Sequence, residues 1–377
     1  MKISCLQENL AKGLSIVGRA VSTRSSLPVL ANVLLATDNG RLKLSATNLE
    51  IAITCWIGAK VERPGAITVP ARTFSDLVNA LPTDRVELEL APDSQTLHVN
   101  CARTEANIKG IEAETFPLLP DPDPTQSLRL EAAKLKQMVQ QVTFAAAVDD
   151  TRPMLTGVSL RFAGKQLRLA ATDAIRLSVL SAEIPVHVDT PKVVIVPARA
   201  LNELARVISD SDSFVLISMP EDRNQIIFQL ENVVIVSQLI EGSFPDFTAI
   251  IPKSARTRSV MGTADFLKAC KTADIFARES SHTARMTIKP GNELMDGYAT
   301  IAATSQETGD NVAQIDANVD GPEIEISFNV RFLTEVLGVM ETPQVILETN
   351  GPMEPGVLKP MGQEEFLHVI MPMHYGR

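Results

Sequence analysis

A chain of 377 residues is long enough for two to three domains at roughly 150 residues each. Its residues are 45% hydrophobic but only 4% aromatic, so any cores must be filled by Leu, Ile, Val and Met. A net charge of −10 excludes a generic nucleic-acid coat, whose affinity comes from Lys and Arg neutralising phosphates; a basic patch on one face stays compatible with it.

From the N-terminus, Leu10, Leu14, Val17 and Val21 recur at i, i+4, i+7 and i+11, which predicts a helix with one apolar face. "RLKLSAT" at 41–47, "RVELEL" at 85–90 and "QTLHVN" at 95–100 alternate with the period of half-buried strands. Between them "VPARTFSDLVNAL" at 69–81 predicts a second helix, with Phe74, Leu77, Val78 and Leu81 on its apolar face. The pattern then starts again. Leu135, Val139, Val142 and Ala146 repeat the first stripe, and "VPARALNELARVI" at 196–208 repeats the second helix, with Leu201, Leu204, Ala205 and Ile208 apolar. A third round has Phe266, Cys270, Ala273 and Ala277, then the strand pattern "EIEISFNV" at 323–330. It closes with "FNVRFLTEVLGVM" at 328–340, where Leu333, Val336, Leu337 and Met340 are apolar.

The offsets are regular: 127 residues from Arg72 to Arg199, and 132 from Arg199 to Arg331. "LPVLANVLLATDNGRLKLSATNLEI" at 27–51 aligns with "RPMLTGVSLRFAGKQLRLAATDAIR" at 152–176 at an offset of 125, and Pro117 answers Pro245 at 128. A period this long means copied domains rather than solenoid units. Each copy reads as two helices laid on one face of an antiparallel sheet, an α+β domain. The joints fall at "LPDPDPTQS" (119–127) and "PKSARTRS" (252–259), which gives domains 1–125, 126–255 and 256–377. Arg72, Arg199 and Arg331 each precede the apolar face by two residues, which at about 100° per residue puts them on the far side, one exposed basic helix face per repeat. Lys12 and Arg19, Lys134 and Lys136, and Lys268 and Lys271 lie off the stripes of the opening helices.

No catalytic constellation emerges. There is no Gly-rich phosphate loop and no Gly-x-Ser-x-Gly elbow, and His98, His187, His282, His368 and His374 lack metal-ligand spacing. Cys5, Cys55, Cys101 and Cys270 are scattered without a Cys-x-x-Cys pair, so reduced structural thiols are expected. Asp149-Asp150 could hold a metal, but ahead of "TRPML" the pair reads as a solvated turn. Thr172-Asp173 could pair a nucleophile with a base, but its repeat partner Thr47-Asn48 lacks the acid, which favours a structural turn. The expectation is no catalytic residue, no metal and no cofactor. No secretory leader is evident and no apolar run approaches the ~20 residues of a membrane span, so a soluble, cytoplasmic protein without membrane contact is expected.

Taken together, the three repeats, "LPVLANVLL", the twofold "VPAR" helix, "ATDAIRLSV", "EGSFPDF" and the terminal "VIMPM" resemble the beta subunit of bacterial DNA polymerase III, the sliding-clamp family, over essentially the whole chain. The resemblance implies a head-to-tail homodimer closing into a six-domain ring, helices inward and sheets outward. It implies a noncatalytic processivity factor that encircles double-stranded DNA without reading its sequence. The polymerase catalytic subunit, the clamp loader and repair factors would attach through short peptide motifs. The candidate DNA-facing residues are Lys12, Arg19, Arg24, Arg72, Lys134, Lys136, Arg152, Arg199, Lys268 and Arg331, diffuse cations suited to holding phosphates while sliding.

Carried over from the family, the peptide pocket would be lined by Leu155, Thr172, Ala174, Ile175, Arg176 and Leu177. Pro245, Ile250, Val369, Met371, Pro372 and Met373 would add further wall, and Arg152, Met154, Asn329 and Met353 an adjoining shallower part. A Met-rich wall suits several different ligands, because thioethers adapt their shape. Ala174 and Ile175 stand where many family members carry Gly-His, which makes the floor bulkier and less polar. The dimer contact would include Ile275 and Phe276, and His374 to Arg377 extend beyond the usual end of the family. The alternatives are a peptide-binding adaptor of the same fold without DNA encirclement, and an enzyme using Asp149, Asp150 or Asp173.

Overall fold

The computed structural model describes residues 1–22, 26–91, 94–120, 122, 127–220, 223–293 and 295–373. Among these, all six expected helices form: α1 (Gln7–Val17), α2 (Ala71–Ala80), α3 (Ala132–Val142), α4 (Ala198–Val207), α5 (Thr263–Ala277) and α6 (Val330–Gly338). Their starts repeat the sequence period: α1, α3 and α5 begin at 7, 132 and 263, and α2, α4 and α6 at 71, 198 and 330. The apolar stripes are buried as expected, Leu10, Leu135 and Phe266 essentially completely. α1 is shorter than its stripe: it tightens into a 3-10 turn at Gly18–Ala20, which leaves Val21 extended and half-buried. α3 likewise gives way to a 3-10 turn at Thr143–Ala145, before Ala146.

The chain divides into two compact units, Met1–Lys136 with Arg199–Leu239, and Gln137–Ala198 with Ile240–Arg377. All strand pairings are antiparallel within the named sheets. In the first unit a five-stranded sheet runs, in spatial order, Lys60–Arg63, Lys2–Leu6, Arg85–Leu90, Thr96–Cys101 and Thr104–Lys109. An eight-stranded sheet beside it has Val233–Gln238 of the second repeat paired to Ile51–Gly58 of the first, with Ser237 opposite Ile51. α1 packs on Arg41–Thr47 and Ile51–Gly58 and against α2. Gly13 permits that approach, since a Cβ there would lie 2.6 Å from Leu44 Cδ1.

The second unit carries a ten-stranded sheet. Here Arg176–Leu180, the start of a long strand of the second repeat (Arg176–Pro197), pairs with Phe366–Ile370 of the third, Leu177 opposite Val369. α5 lies on Tyr298–Ser305 and Gly309–Asp320, and against α6. Strands of the middle repeat thus pair with the first repeat in one unit and with the third in the other, so the division by contacts cuts through that repeat.

The turn at Thr47 recurs, bond for bond. Asn48 Oδ1 accepts from the backbone N–H of Glu50 and Ile51, and Asp173 Oδ1 accepts from those of Ile175 and Arg176. Ser305 Oγ does the same for Glu307 and Thr308. Leu49 and Ala174 adopt the same left-handed backbone, with φ of 75° and 77°.

Candidate functional sites: helix faces and an apolar cleft

The second helix of each repeat presents its arginine to solvent. Two residues separate it from the buried face, and that half-turn is decisive: Phe74 is fully buried while the Arg72 side chain is 96% exposed. Arg199 and Arg331 are exposed at the matching places. Each helix also carries an acid four residues on, pairing Arg72 with Asp76 at 3.9 Å and Arg331 with Glu335 at 3.4 Å, along the helix surface. Lys12, Lys134, Lys268 and Arg152 are exposed as well.

Two of the predicted cations have other work. Lys136 is half-buried and its Nζ donates to the Ile208 carbonyl at 3.0 Å, just past the C-terminus of α4, where a cation complements the helix dipole. Arg19 pairs at 3.2 Å with Glu203, whose side chain is only 10% exposed and which also receives Arg206 at 2.8 Å. Both cations thus also serve contacts inside the unit, Arg19 from a residue that stays exposed and Lys136 from a half-buried one. Arg24 lies outside the described residues.

Lys12 lines a pocket of about 290 Å³ with Ile16, Trp56, Ser209, Asp212 and Glu231, among others. One repeat on, Gln137 and Gln141 occupy the places of Lys12 and Ile16. There Gln137 donates to Glu341 at 3.0 Å and Gln141 to the Val339 carbonyl at 3.2 Å.

The second candidate site lies within the second unit. Its floor is an apolar cluster of Ala170, Leu177, Val179, Val357 and Val369, against which Phe244, Phe247, Ile251 and Leu367 pack. Four apolar side chains of the second unit among those carried over from the family are open to water: Ile175 and Ile250 (each 46% exposed), Met353 and Met371. The Met371 N–H donates to the Ile175 carbonyl at 2.9 Å, and that of Met373 to Ser327 at 2.8 Å, so the "MPM" segment continues alongside the strands it leaves. Met154 lies against Gly242, where an added Cβ would stand 3.2 Å from its Cγ. Pro245 is exposed, and Pro372 and Met373 half-buried.

Not every residue carried over from the family faces the cleft. Leu155, Thr172, Leu177 and Val369 are buried and support the site from beneath. Arg176 is buried too: its Nε donates to Asp173 at 3.0 Å and an Nη to the Phe144 carbonyl at 2.7 Å, its other Nη meets Glu335, and Phe332 lies 4.2 Å beneath the guanidinium. It braces the turn that carries Ile175 rather than forming wall. Asn329 caps α6, accepting from Arg331 N at 3.0 Å and Phe332 N at 3.4 Å while donating to Ser281 O at 3.3 Å, which commits its amide to the helix start. Sequence reasoning passed over Phe244, Phe247 and Ile251. Their signal was present in "SFPDFTAIIP": two phenylalanines, packed edge to face at 6.3 Å, that bring the segment down onto the cluster.

The same place one repeat earlier is polar. Glu50 holds the position of Ile175, and its carbonyl accepts from Gln238, which stands where Met371 does, at 2.8 Å. The repeat thus builds two similar joints and makes only one of them sticky.

The candidate chemistry at Thr172 resolves as a turn. The Thr172 hydroxyl donates to the Arg176 carbonyl at 2.6 Å and accepts from Ala174 N at 3.0 Å, as Thr47 does with Ile51 and Leu49. Asp149 accepts from both the hydroxyl and the N–H of Thr151, and those bonds hold its carboxyl below its ordinary value in an open, solvated turn. Among the described residues no group of three or more His, Cys, Asp or Glu is placed to hold a metal. The four thiols are buried, and burial pushes that of Cys55 up to about 11 and that of Cys5 up to about 12. No helix among the described residues is long and apolar enough to cross a membrane. Ile275, at the end of α5, is 53% exposed and Phe276 half-buried.

Comparison with known proteins matches three family models along the chain. The N-terminal domain of the DNA polymerase III beta subunit matches residues 1–120, its central domain 129–246 and its C-terminal domain 248–374. A protein of Synechococcus elongatus named beta sliding clamp is 34% identical over 377 residues, covering 99% of both chains. The crystal structure of the DNA polymerase sliding clamp from Bacillus subtilis superposes with a TM-score of 0.93 at 28% identity, covering both chains fully. A Pseudomonas aeruginosa sliding clamp solved bound to griselimycin matches at a TM-score of 0.90 and 28% identity, again over both full chains.

Proposed function

Because this chain belongs to the DNA polymerase III beta subunit family, the bacterial sliding clamps, we propose that two copies close head to tail into a ring around duplex DNA. Each copy supplies three clamp domains, 1–125, 126–255 and 256–377, and Ile275 and Phe276 belong to the contact between copies. The observation that carries the reading is the recurrence of one solvent-facing arginine, Arg72, Arg199 and Arg331, at the same place on three equivalent helices. With Lys12, Lys134, Arg152 and Lys268 exposed too, the cations are spread thinly over an otherwise acidic molecule. That distribution suits a protein that holds phosphates weakly, without reading bases, and therefore slides. Retention then depends on topology rather than on affinity.

The second half of the function is tethering. The cleft edged by Ile175, Ile250, Met353 and Met371 takes short extended peptides from a polymerase catalytic subunit, a clamp loader and repair factors. Adaptable thioethers at its edges suit clients that share a motif but differ in detail. The chain performs no catalysis and works in the cytoplasm, with no cofactor.

The test is retention on nicked circular DNA compared with the same DNA linearised, after loading by a cognate clamp loader and a wash in salt that strips ordinary phosphate contacts. Survival on circles with loss from linear ends is expected. Equal loss from both refutes ring closure and favours the adaptor, while equal retention on both means true affinity and refutes sliding.

A further inference from the structure

Oxidants that reach this chain meet few reactive sulfurs. The usual first target is a cysteine thiolate, but all four cysteines are buried. Burial pushes the thiols of Cys5 and Cys55 up to about 12 and about 11, which keeps them protonated. The thioethers remain. Of the twelve methionines in the chain, Met1, Met138, Met261, Met286 and Met340 are buried, while Met295, Met353, Met361 and Met371 are exposed.

Those four differ in place. Met295 sits in the turn before Tyr298–Ser305, its N–H donating to Asn292 Oδ1 at 3.0 Å. Met361 follows the strand Gly356–Pro360, and its Sδ accepts from Arg258 at 3.8 Å. Met353 and Met371 lie at the other end of that strand. Gly356 is opposite Ile370 there, and Val357 is opposite Val369 in the floor of the cleft. The turn holding Met353 and the segment starting at Met371 therefore leave the paired strands at the same end. Met371 is tied to the turn that carries Ile175, its N–H donating to the Ile175 carbonyl at 2.9 Å. Met353 is 56% exposed and Met371 37%.

We infer that Met353 and Met371 form a reversible oxidation site of the cleft, and that sulfoxide there releases client peptides. The inference rests on the tethering reading above. The oxidant is hydrogen peroxide. A sulfur lone pair attacks one peroxide oxygen, and the O–O bond breaks as the S–O bond forms. The other oxygen leaves as hydroxide and takes the proton of the transferred one, giving sulfoxide and water. Sulfur gives up two electrons and the peroxide gains them. A dithiol reductase of the methionine sulfoxide class reverses the step, its thiols becoming a disulfide and the oxygen leaving as water. In the oxidised state an adaptable apolar contact has become a polar, hydrated one. An apolar client has to strip that oxygen of water and offers it no donor in return.

The test treats the intact protein with hydrogen peroxide, removes the peroxide and locates sulfoxides by peptide mass spectrometry. Binding of the same organism's polymerase catalytic subunit is then read by surface plasmon resonance. Met353 and Met371 should be oxidised well before Met138, Met261 and Met286, and binding should weaken at least about fivefold. Reductases for the two sulfoxide epimers should restore it. The weakening should persist in Met295→Leu/Met361→Leu. It should shrink below about twofold in Met353→Leu/Met371→Leu, each variant being compared with its own untreated form. Full oxidation of both residues with unchanged binding overturns the inference. So does a loss that Met353→Leu/Met371→Leu does not blunt, or reduction of both sulfurs that fails to restore binding. The reductase arm uses the parent chain alone and so holds whether or not either variant folds. Untreated protein that does not bind the polymerase subunit at all refutes the tethering reading and the inference with it, which separates the two failures.

Discussion

Ala174 holds a left-handed backbone with φ of 77°, a region that costs a residue with a Cβ about 1–2 kcal/mol and glycine much less. The turn needs that conformation because Asp173 must accept from Ile175 and Arg176 while Thr172 accepts from Ala174 itself. Ala174→Gly is therefore expected to raise the unfolding temperature by about 2 °C, the relief of strain being partly offset by chain entropy, whereas Ala174→Val should lower it. Calorimetry on the three proteins checks both signs. His368 offers a second prediction. It is completely buried, its Nδ1 is 2.7 Å from Ser178 Oγ and its ring stacks on Phe144. Burial, with Arg176 adding to it, drops its pKa from 6.5 to about 3. Unfolded chain takes up this proton below pH 6.5 and folded chain only near pH 3. Stability tied to His368 is thus present above pH 6.5 and drains away as pH falls toward 3. Between those limits the unfolding temperature of the parent should fall more steeply than that of His368→Asn, and equal slopes would refute the assignment.

Among the elements, the cleft and its polar twin make the sharper comparison. Two turns with the same hydrogen bonds present Ile175 in one case and Glu50 in the other, followed on the neighbouring strand by Met371 and Gln238. Backbone geometry is shared, so the difference in stickiness rests on those side chains. Ile175→Glu should leave the turn intact, since its bonds come from Thr172, Asp173 and the main chain. A carboxylate facing an apolar peptide is costly to bury, and removing the exposed Ile loses its contact area. Binding of a short client peptide, read by fluorescence anisotropy, is expected to weaken at least about tenfold, or 1.4 kcal/mol. Unchanged binding would move the site elsewhere. The ion pair of Arg176 belongs to this scale too, because it joins the turn that carries Ile175 to α6 through Glu335.

For the molecule as a whole, an acidic chain with sparse, repeated cations predicts topological rather than tight binding. Replacing Arg72, Arg199 and Arg331 together by Ala removes three exposed cations per copy without touching a buried residue. Loaded protein should then leave circular DNA faster at low salt, and the salt dependence of retention should become shallower, because fewer counterions are displaced. Peptide binding by the same variant should be unchanged. Loss of peptide binding, or no change in DNA retention, would contradict the division of labour between helix faces and cleft.

The order of elements, the threefold repeat and the exposed arginine opposite each apolar face were legible in the sequence, because helix periodicity and copied spacing are local properties. So was Thr172 as a turn residue, from its twin at Thr47. Tertiary structure alone decided which charges meet a partner far away in the chain. Arg19, Lys136 and Arg176 look like any other cations in sequence, and only the fold brings Glu203, the end of α4 and Glu335 within reach of them. It decided, too, that Leu177 and Val369 form a floor while Ile175 and Met371 form the edge, since which side of a paired strand is covered depends on what packs over it, here Phe244 and Phe247. Periodicity determines which residues share a face, and long-range packing determines what that face meets.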